Sequence, residues 1–241
     1  MAVILFDLDG TLLPMDQNLF VRTYFGLLGK KVAAYGYDPQ AVISALGQGT
    51  YAMIKNDGNM TNETCFWRSF EKNMGPEVTK DRELFESFYA NEFQQVKAAC
   101  GFNPCASEVI GMLKQQGHRL ILATNPLFPR IATCHRIRWA GLKPEDFELY
   151  TTYEDYSYCK PNPGYYLEIL EKIGELPENC IMVGNDAEDD MAAAELGMRV
   201  FLLTDCLINE KSKDISAFPQ GGFKELYTYL SKQLGQGNRL V

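Results

Sequence analysis

No C-x-x-C pair occurs in these 241 residues, and the seven cysteines (Cys65, Cys100, Cys105, Cys134, Cys159, Cys180 and Cys206) are scattered and odd in number. A disulfide framework is thereby excluded, and a reducing, cytosolic setting is the expectation. No apolar stretch reaches the length of about 18 residues that a membrane-spanning helix needs. The run Ala2–Phe6 is too short for the core of a signal peptide, and no charged leader precedes it. The sequons at Asn59 and Asn62 therefore carry little meaning. Basic charge is also scarce: 23 Lys+Arg against 31 Asp+Glu leaves −8 at pH 7. A duplex-binding protein needs a basic face, so nucleic acid is not an expected partner. A small phosphorylated ligand, held by a few local groups, remains open. There is no internal repeat and no low-complexity tract; 46% hydrophobic and 22% charged residues suit a globular chain with a full core.

What is present begins with apolar runs that end in polar residues. Ala2–Phe6 stops at Asp7; Arg119–Ala123 stops at Thr124-Asn125-Pro126; Cys180–Val183 stops at Gly184-Asn185-Asp186; Arg199–Leu203 stops at Thr204-Asp205. Continuous apolar runs of this length suit strands buried on both faces of a parallel sheet. Helical patterns lie between them, at Ala106–Gln116, Tyr165–Ile173 and Ala187–Leu196. Alternation of this kind predicts right-handed βαβ units and a three-layer α/β/α, Rossmann-like core.

Residues 15–100 read differently. Strand runs are missing and helical spacing dominates. Leu19, Tyr24, Leu27 and Leu28 suit one helix. Val42, Ile43, Leu46, Met53 and Ile54 suit a second region, interrupted at Gly47 and Gly49. Those two glycines either break a helix or form a substrate-facing loop near Lys55. Thr61-Asn62-Glu63 can cap a third helix carrying Phe66, Trp67 and Phe70. Leu84, Phe85, Phe88 and Phe93 mark a fourth, and Gly101–Pro104 reads as a return linker. The expected organisation is a core of residues 1–14 and 101–241, with a helical domain of residues 15–100 inserted after the first strand.

Ligands of an open parallel sheet bind outside the carboxyl ends of its strands. The polar residues there are Asp7, Asp9, Thr11, Thr124, Asn125, Asn185 and Asp186. Asp7 and Asp9 are two apart on extended chain and can project to one side, with Gly10 permitting a tight turn. Clustered carboxylates repel unless a proton or cation intervenes, and hard oxygen ligands favour Mg²⁺. Such a metal beside a carboxylate suits phosphoryl transfer. Thr124 can grip a phosphate or merely cap a helix. Lys160, in Tyr158-Cys159-Lys160-Pro161-Asn162-Pro163, either neutralises a carboxylate and a phosphate or is simply solvated. Asp186 and Asp190 share one side of an expected helical turn; they serve the helix dipole, or a metal if the Asp7 cluster lies alongside. Arg130, His135, Arg136 and Arg138 fit one exposed helix face.

These elements in this order, Asp7-Leu8-Asp9-Gly10-Thr11, then Thr124, then Lys160, then Gly184-Asn185-Asp186 with Asp190, resemble the haloacid dehalogenase (HAD) superfamily over residues 1 to about 205, the inserted stretch excepted. The resemblance implies a Mg²⁺-dependent phosphatase acting on a small phosphorylated metabolite. Asp7 would be the nucleophile that forms an aspartyl-phosphate, and Asp9 the general acid/base. Lys160 would orient and neutralise; Thr124, Asn125 and Thr11 would contact the substrate. Asp7, the Asp9 carbonyl and Asp186 would hold the metal, supported by Asn185 and Asp190. The stretch 15–100 resembles the superfamily's C1-type helical cap, which closes over the site. The superfamily commonly has Asp directly after the glycine where this chain has Asn185. Asp9 argues against the dehalogenase and phosphonate-cleaving branches, which lack it. A phosphomutase is the alternative activity; such mutases tend to carry a histidine in the cap, and here both histidines, His118 and His135, lie outside residues 15–100. A non-catalytic binding or regulatory protein with the same fold is the alternative of another class.

Overall fold

The computed structural model describes residues 2–235. Six strands form one sheet: β1 (Val3–Phe6), β2 (Arg119–Leu122), β3 (Leu149–Tyr150), β4 (Cys180–Gly184), β5 (Arg199–Leu203) and β6 (Gln220–Gly221). Their order is β3-β2-β1-β4-β5-β6, and every pair is parallel. The strand runs look uniformly apolar because both faces are covered. Side chains alternate across a strand. Ile4, Phe6, Leu120, Leu122, Ile181, Val183, Phe201 and Leu203 enter one core. Val3, Leu5, Ile121, Cys180, Met182, Val200 and Leu202 enter the other. The first core is closed by α5 (Pro104–Gln115), α6 (Arg130–Trp139) and α8 (Phe223–Gly235) through residues such as Val109, Leu113, Ile137 and Leu226. The second is closed by α7 (Pro163–Ile173) and the 3-10 turn Met191–Leu196. The three-layer α/β/α core expected from the sequence is thus the observed one.

Two strands carry no sequence signal. β3 and β6 are two residues long and sit at the edges. The helix expected over Ala187–Leu196 does not form. Asp186 Oδ1 accepts the N–H groups of Glu188 and Asp189 at 2.7 and 2.9 Å, and Asp190 Oδ2 accepts that of Asp186 at 2.9 Å. Aspartates that satisfy their neighbours' N–H groups compete with helical hydrogen bonding. Only a 3-10 segment follows, ending at Gly197, whose φ of 92° is left-handed.

Between β1 and α5 lie α1 (Gln17–Ala34), α2 (Pro39–Ile54), α3 (Asn62–Met74) and α4 (Arg82–Ala90), then a 3-10 stretch Glu92–Ala99. The expected interruption of α2 is absent: the helix runs unbroken through Gly47 and Gly49. Gly47 has open space around it. A β-carbon on Gly49 would lie 2.6 Å from the Phe66 ring, so this glycine lets α3 approach α2. Lys55 does not lie in a loop toward substrate; it caps α2 and its ammonium sits 5.8 Å from the centre of the Tyr51 ring.

The helical stretch leaves and rejoins the core at one place. Met15 and Cys100 form an antiparallel bridge, and the Gly101 N–H donates to the Pro14 carbonyl at 2.7 Å. It also packs down on the core. Phe93 stacks on Trp139 at 5.3 Å and Phe20 meets Phe128 edge-on at 6.2 Å. The orphan N–H groups at the start of α3 find core carbonyls, Asn62 to Tyr156 at 2.7 Å and Glu63 to Tyr153 at 2.8 Å. Thr61 caps the helix, as its position in the sequence suggested.

Candidate active site

The strand order reverses at β1, with β2 on one side and β4 on the other, and the crevice at such a point is where open sheets bind ligands. Registry places the ends level: Phe6 is opposite Leu122 and Val183. The next residues, Asp7 after β1, Thr124 beyond β2 and Asn185 after β4, therefore meet above the sheet. Asp7 is fixed by its own N–H, which donates to Val183 at 2.9 Å. Gly10 turns the chain back with a φ of 87°, close against the Asn185 amide where a β-carbon has no room.

A cavity of about 370 Å³ opens here, lined by Asp7, Asp9, Thr124, Asn125, Lys160, Asn185, Asp186 and Asp190 among others. Lys160 is not a solvated lysine. Its side chain is 1% exposed, and Nζ donates to Asp7 Oδ1 at 2.8 Å and to Asp190 Oδ1 at 2.6 Å. Burial alone would pull its pKa down; Asp190 and Asp7 outweigh that and hold it well above its usual value. The same burial pushes Asp190 up to about 7 despite Lys160 opposing it, with Asp7 adding to the rise. Asn125 ties two parts together, its Oδ1 accepting from the Lys160 N–H at 3.2 Å and its Nδ2 donating to Asp189 at 3.3 Å. Asp189 also lines the cavity and is pushed up to about 6, chiefly by burial, then by Asp186 and Asp7, against Lys160.

Thr11, expected to contact substrate, is 1% exposed and does not line the cavity. Its hydroxyl lies 2.8 Å from Asn185 Oδ1 and 3.1 Å from Asp7 Oδ2, so it braces the nucleophile candidate against β4. Asn185 is fully engaged, since its Nδ2 donates to the Cys206 carbonyl at 2.7 Å.

Arg136 is the residue that sequence reasoning placed wrongly. It is 1% exposed, not on a solvated helix face. Its guanidinium donates to Asp9 Oδ2 and, at 3.2 Å, to Thr133, and it lies over the Phe128 ring at 4.5 Å. The signal was available: Ala132, Thr133, Arg136, Ile137 and Ala140 follow the i, i+1, i+4, i+5, i+8 spacing of the buried stripe of α6. Arg136 holds one oxygen of Asp9 and leaves Oδ1 buried without a partner. The Asp9 pKa is raised. Burial is the main cause, rather than neighbouring carboxylates; Arg136 opposes it and Asp7 adds to it.

Five carboxylates line the cavity, Asp7, Asp9, Asp186, Asp189 and Asp190, against the single ammonium of Lys160. Among the described residues, no three of His, Cys, Asp and Glu converge closely enough to hold a metal alone. That donor set suits Mg²⁺, which takes one or two protein carboxylates and completes its shell with water and phosphate oxygens. The described lining residues include no imidazole or thiolate, which the softer transition metals prefer.

Comparison with known proteins gives a consistent picture. Residues 1–197 match the family model of the haloacid dehalogenase-like hydrolases. A phosphoglycolate phosphatase of Vibrio parahaemolyticus is 28% identical over 209 residues, covering 84% of this chain and 83% of its own. The crystal structure of a HAD phosphatase from Thermococcus onnurineus superposes over 100% of both chains with a TM-score of 0.57 at 20% identity. A Thermotoga maritima structure provisionally named a beta-phosphoglucomutase gives 0.56 at 20% identity over 96% of this chain and 99% of its own. At these identities the two structures speak to the fold. No helix among the described residues is long and apolar enough to cross a membrane, and all seven cysteines are free thiols.

Proposed function

This chain belongs to the haloacid dehalogenase-like hydrolase family and is a phosphoric monoester hydrolase, and we propose that it acts on a small phosphomonoester through an aspartyl-phosphate on Asp7. The observation that carries this reading is the buried Asp7–Lys160–Asp190 triad opening into a cavity shared with Asp9 and Asp186.

In the first step a carboxylate oxygen of Asp7 bonds to phosphorus, and the bond to the leaving alcohol breaks. Lys160 and Thr11 fix Asp7 for in-line attack, so little orientational freedom is left to lose. Asp9 gives its proton to the departing oxygen. The raised pKa keeps that proton available, and Arg136 anchors one Asp9 oxygen so that the other serves the reaction. In the second step Asp9, now ionised, takes a proton from water, and the hydroxide cleaves the acyl-phosphate to release phosphate. Thr124 and Asn125, which line the cavity, would contact the phosphoryl oxygens. Mg²⁺, held by Asp7, the Asp9 main-chain oxygen and Asp186, would neutralise the phosphoryl oxygens. The helices over the cavity act as a cap that limits water.

A mutase would need a group in the cap to shuttle protons to a second hydroxyl, and neither histidine lines the cavity. The relatives named phosphoglycolate phosphatases make 2-phosphoglycolate a substrate to try.

The test uses p-nitrophenyl phosphate. Hydrolysis should stop with a chelator and return with Mg²⁺, and Asp7→Asn should be inactive while still folded. Full turnover by Asp7→Asn would sink the covalent step. Asp9→Asn should lose most of kcat yet still bind phosphate; loss of binding instead would remove the acid/base role.

A further inference from the structure

The cavity has two unlike ends. The strand-end carboxylates, Lys160, Thr124 and Asn125 make one. The other is formed by Met15, Phe20, Val21, Ile54, Leu127 and Phe128. Gln17 is the one polar side chain that the helical stretch contributes. Val21 on α1 and Ile54 at the end of α2 are 43% and 41% exposed, so apolar surface stands open beside the place a leaving group must occupy.

Cations are missing from that end. Among the described residues lining the cavity, Lys160 is the only cation, and Asp7 and Asp190 already hold it. Arg136 is sealed between Asp9, Thr133 and Phe128 and does not line the cavity. Lys55 follows Ile54, but its ammonium lies over the Tyr51 ring. A carboxylate or second phosphate on the leaving group would meet no cation there, only the Gln17 amide and water, beside five carboxylates. Unpaired charge is a strong means of rejecting a ligand. An apolar leaving group would cover Val21 and Ile54 and gain from their burial.

Resting on the phosphatase reading above, we infer that the substrate is a phosphomonoester of an uncharged alcohol with an apolar body, and that α1 and α2 select against leaving groups that carry a second anion. The substrate preference thus departs from the one named for the relatives, because the cap-side lining, not the strand ends, sets it.

The experiment compares kcat/KM for n-butyl phosphate and 2-phosphoglycolate on the full chain with Mg²⁺, with p-nitrophenyl phosphate as a general phosphatase control. Butanol is no better a leaving group than glycolate, so intrinsic reactivity does not favour it. We expect n-butyl phosphate to be preferred by at least about tenfold, near the low end of what an unsatisfied polar group costs. Val21→Arg, which adds a cation at an exposed helix position, should shrink that preference at least severalfold. Equal or better use of 2-phosphoglycolate by the unmodified protein overturns the inference and leaves the phosphatase reading standing. A preference that Val21→Arg leaves untouched overturns the assignment to this lining. Failure on all three esters, p-nitrophenyl phosphate included, removes the phosphatase reading itself.

Discussion

Replacing Lys160 with methionine keeps the stem and deletes the ammonium between two carboxylates. Lys160 and Asp190 side chains are 1% and 2% exposed, and that of Asp7 is 10% exposed. With both carboxylates ionised, the cluster goes from a net charge of −1 to −2 with almost no water to screen it. Breaking a buried pair by removing one partner costs about 3–5 kcal/mol. The carboxylates evade part of that by keeping a proton. Asp190 is already pushed up to about 7, chiefly by burial and against the pull of Lys160. Without Lys160 it stays protonated to higher pH. The sign follows directly. A group whose folded pKa is raised costs the native state stability as pH climbs toward that pKa, and the loss then levels off. In the natural chain it levels off near 7; in Lys160→Met it continues. The gap between the two should therefore widen above pH 7 by up to about 1.4 kcal/mol per pH unit. Urea unfolding would show a deficit of about 2–3 kcal/mol near pH 5.5, at or below the low end of the broken-pair range because Asp190 is then neutral, and about 1–1.5 kcal/mol more near pH 8. Adding Asp190→Asn should erase the pH step. A deficit that is equal at both pH values, or that narrows as pH rises, would refute the electrostatic account of Lys160.

The two α2 glycines should respond oppositely to alanine. Gly47→Ala, in open space, should raise stability by about 0.5–1 kcal/mol through helix propensity. Gly49→Ala should lower it by about 1–2 kcal/mol, because its β-carbon meets the Phe66 ring at 2.6 Å. Thermal unfolding reads both, at about 2–4 °C per kcal/mol for a chain of this size, and shifts of the same sign would contradict the packing argument. Arg136→Lys retains charge but loses the guanidinium's joint grip on Asp9 and Thr133; kcat should fall about 10–100-fold with KM little changed. An unchanged kcat would mean that Asp9 needs no such anchor. In the metal-free protein, Asp190 at about 7 and Asp189 at about 6 are both raised above their usual values, chiefly by burial. The two groups together should consequently lower stability by roughly 5–6 kcal/mol between about pH 4 and 7. Calorimetry showing it flat or rising over that window would count against both shifts.

The site was legible where chemistry and strand pattern coincide. Asp7, Thr124 and Asn185 follow apolar runs, and a parallel sheet forces such ends into one crevice. Lys160 was readable only through its order in the chain, because nothing local distinguishes a buried lysine from a solvated one. The turn at Asp186–Asp190 escaped a helical reading of its spacing, since side-chain capping outcompeted the backbone ladder there. Arg136 was hidden by its company: three basic neighbours suggested solvent, while its position on the α6 stripe pointed inward. β3 and β6 take their structure from the pairing edge they meet rather than from their own residues. Gly47 and Gly49 show the limit of composition alone, as one is a weak point in a helix and the other a contact surface.

The clasp of Met15 on Cys100 and Gly101 on Pro14 has an engineering consequence. Both ends of the helical stretch already lie side by side, so a different helical segment grafted between Met15 and Cys100 would keep the clasp, and its closure entropy would change only slowly with its length. The strand-end chemistry would stay in register beneath it. The transplant would have to rebuild the aromatic seat on Trp139 and Phe128 and the carbonyl partners now met by α3. Within those terms, the choosing of substrates and the breaking of the phosphate bond are separable parts of one chain.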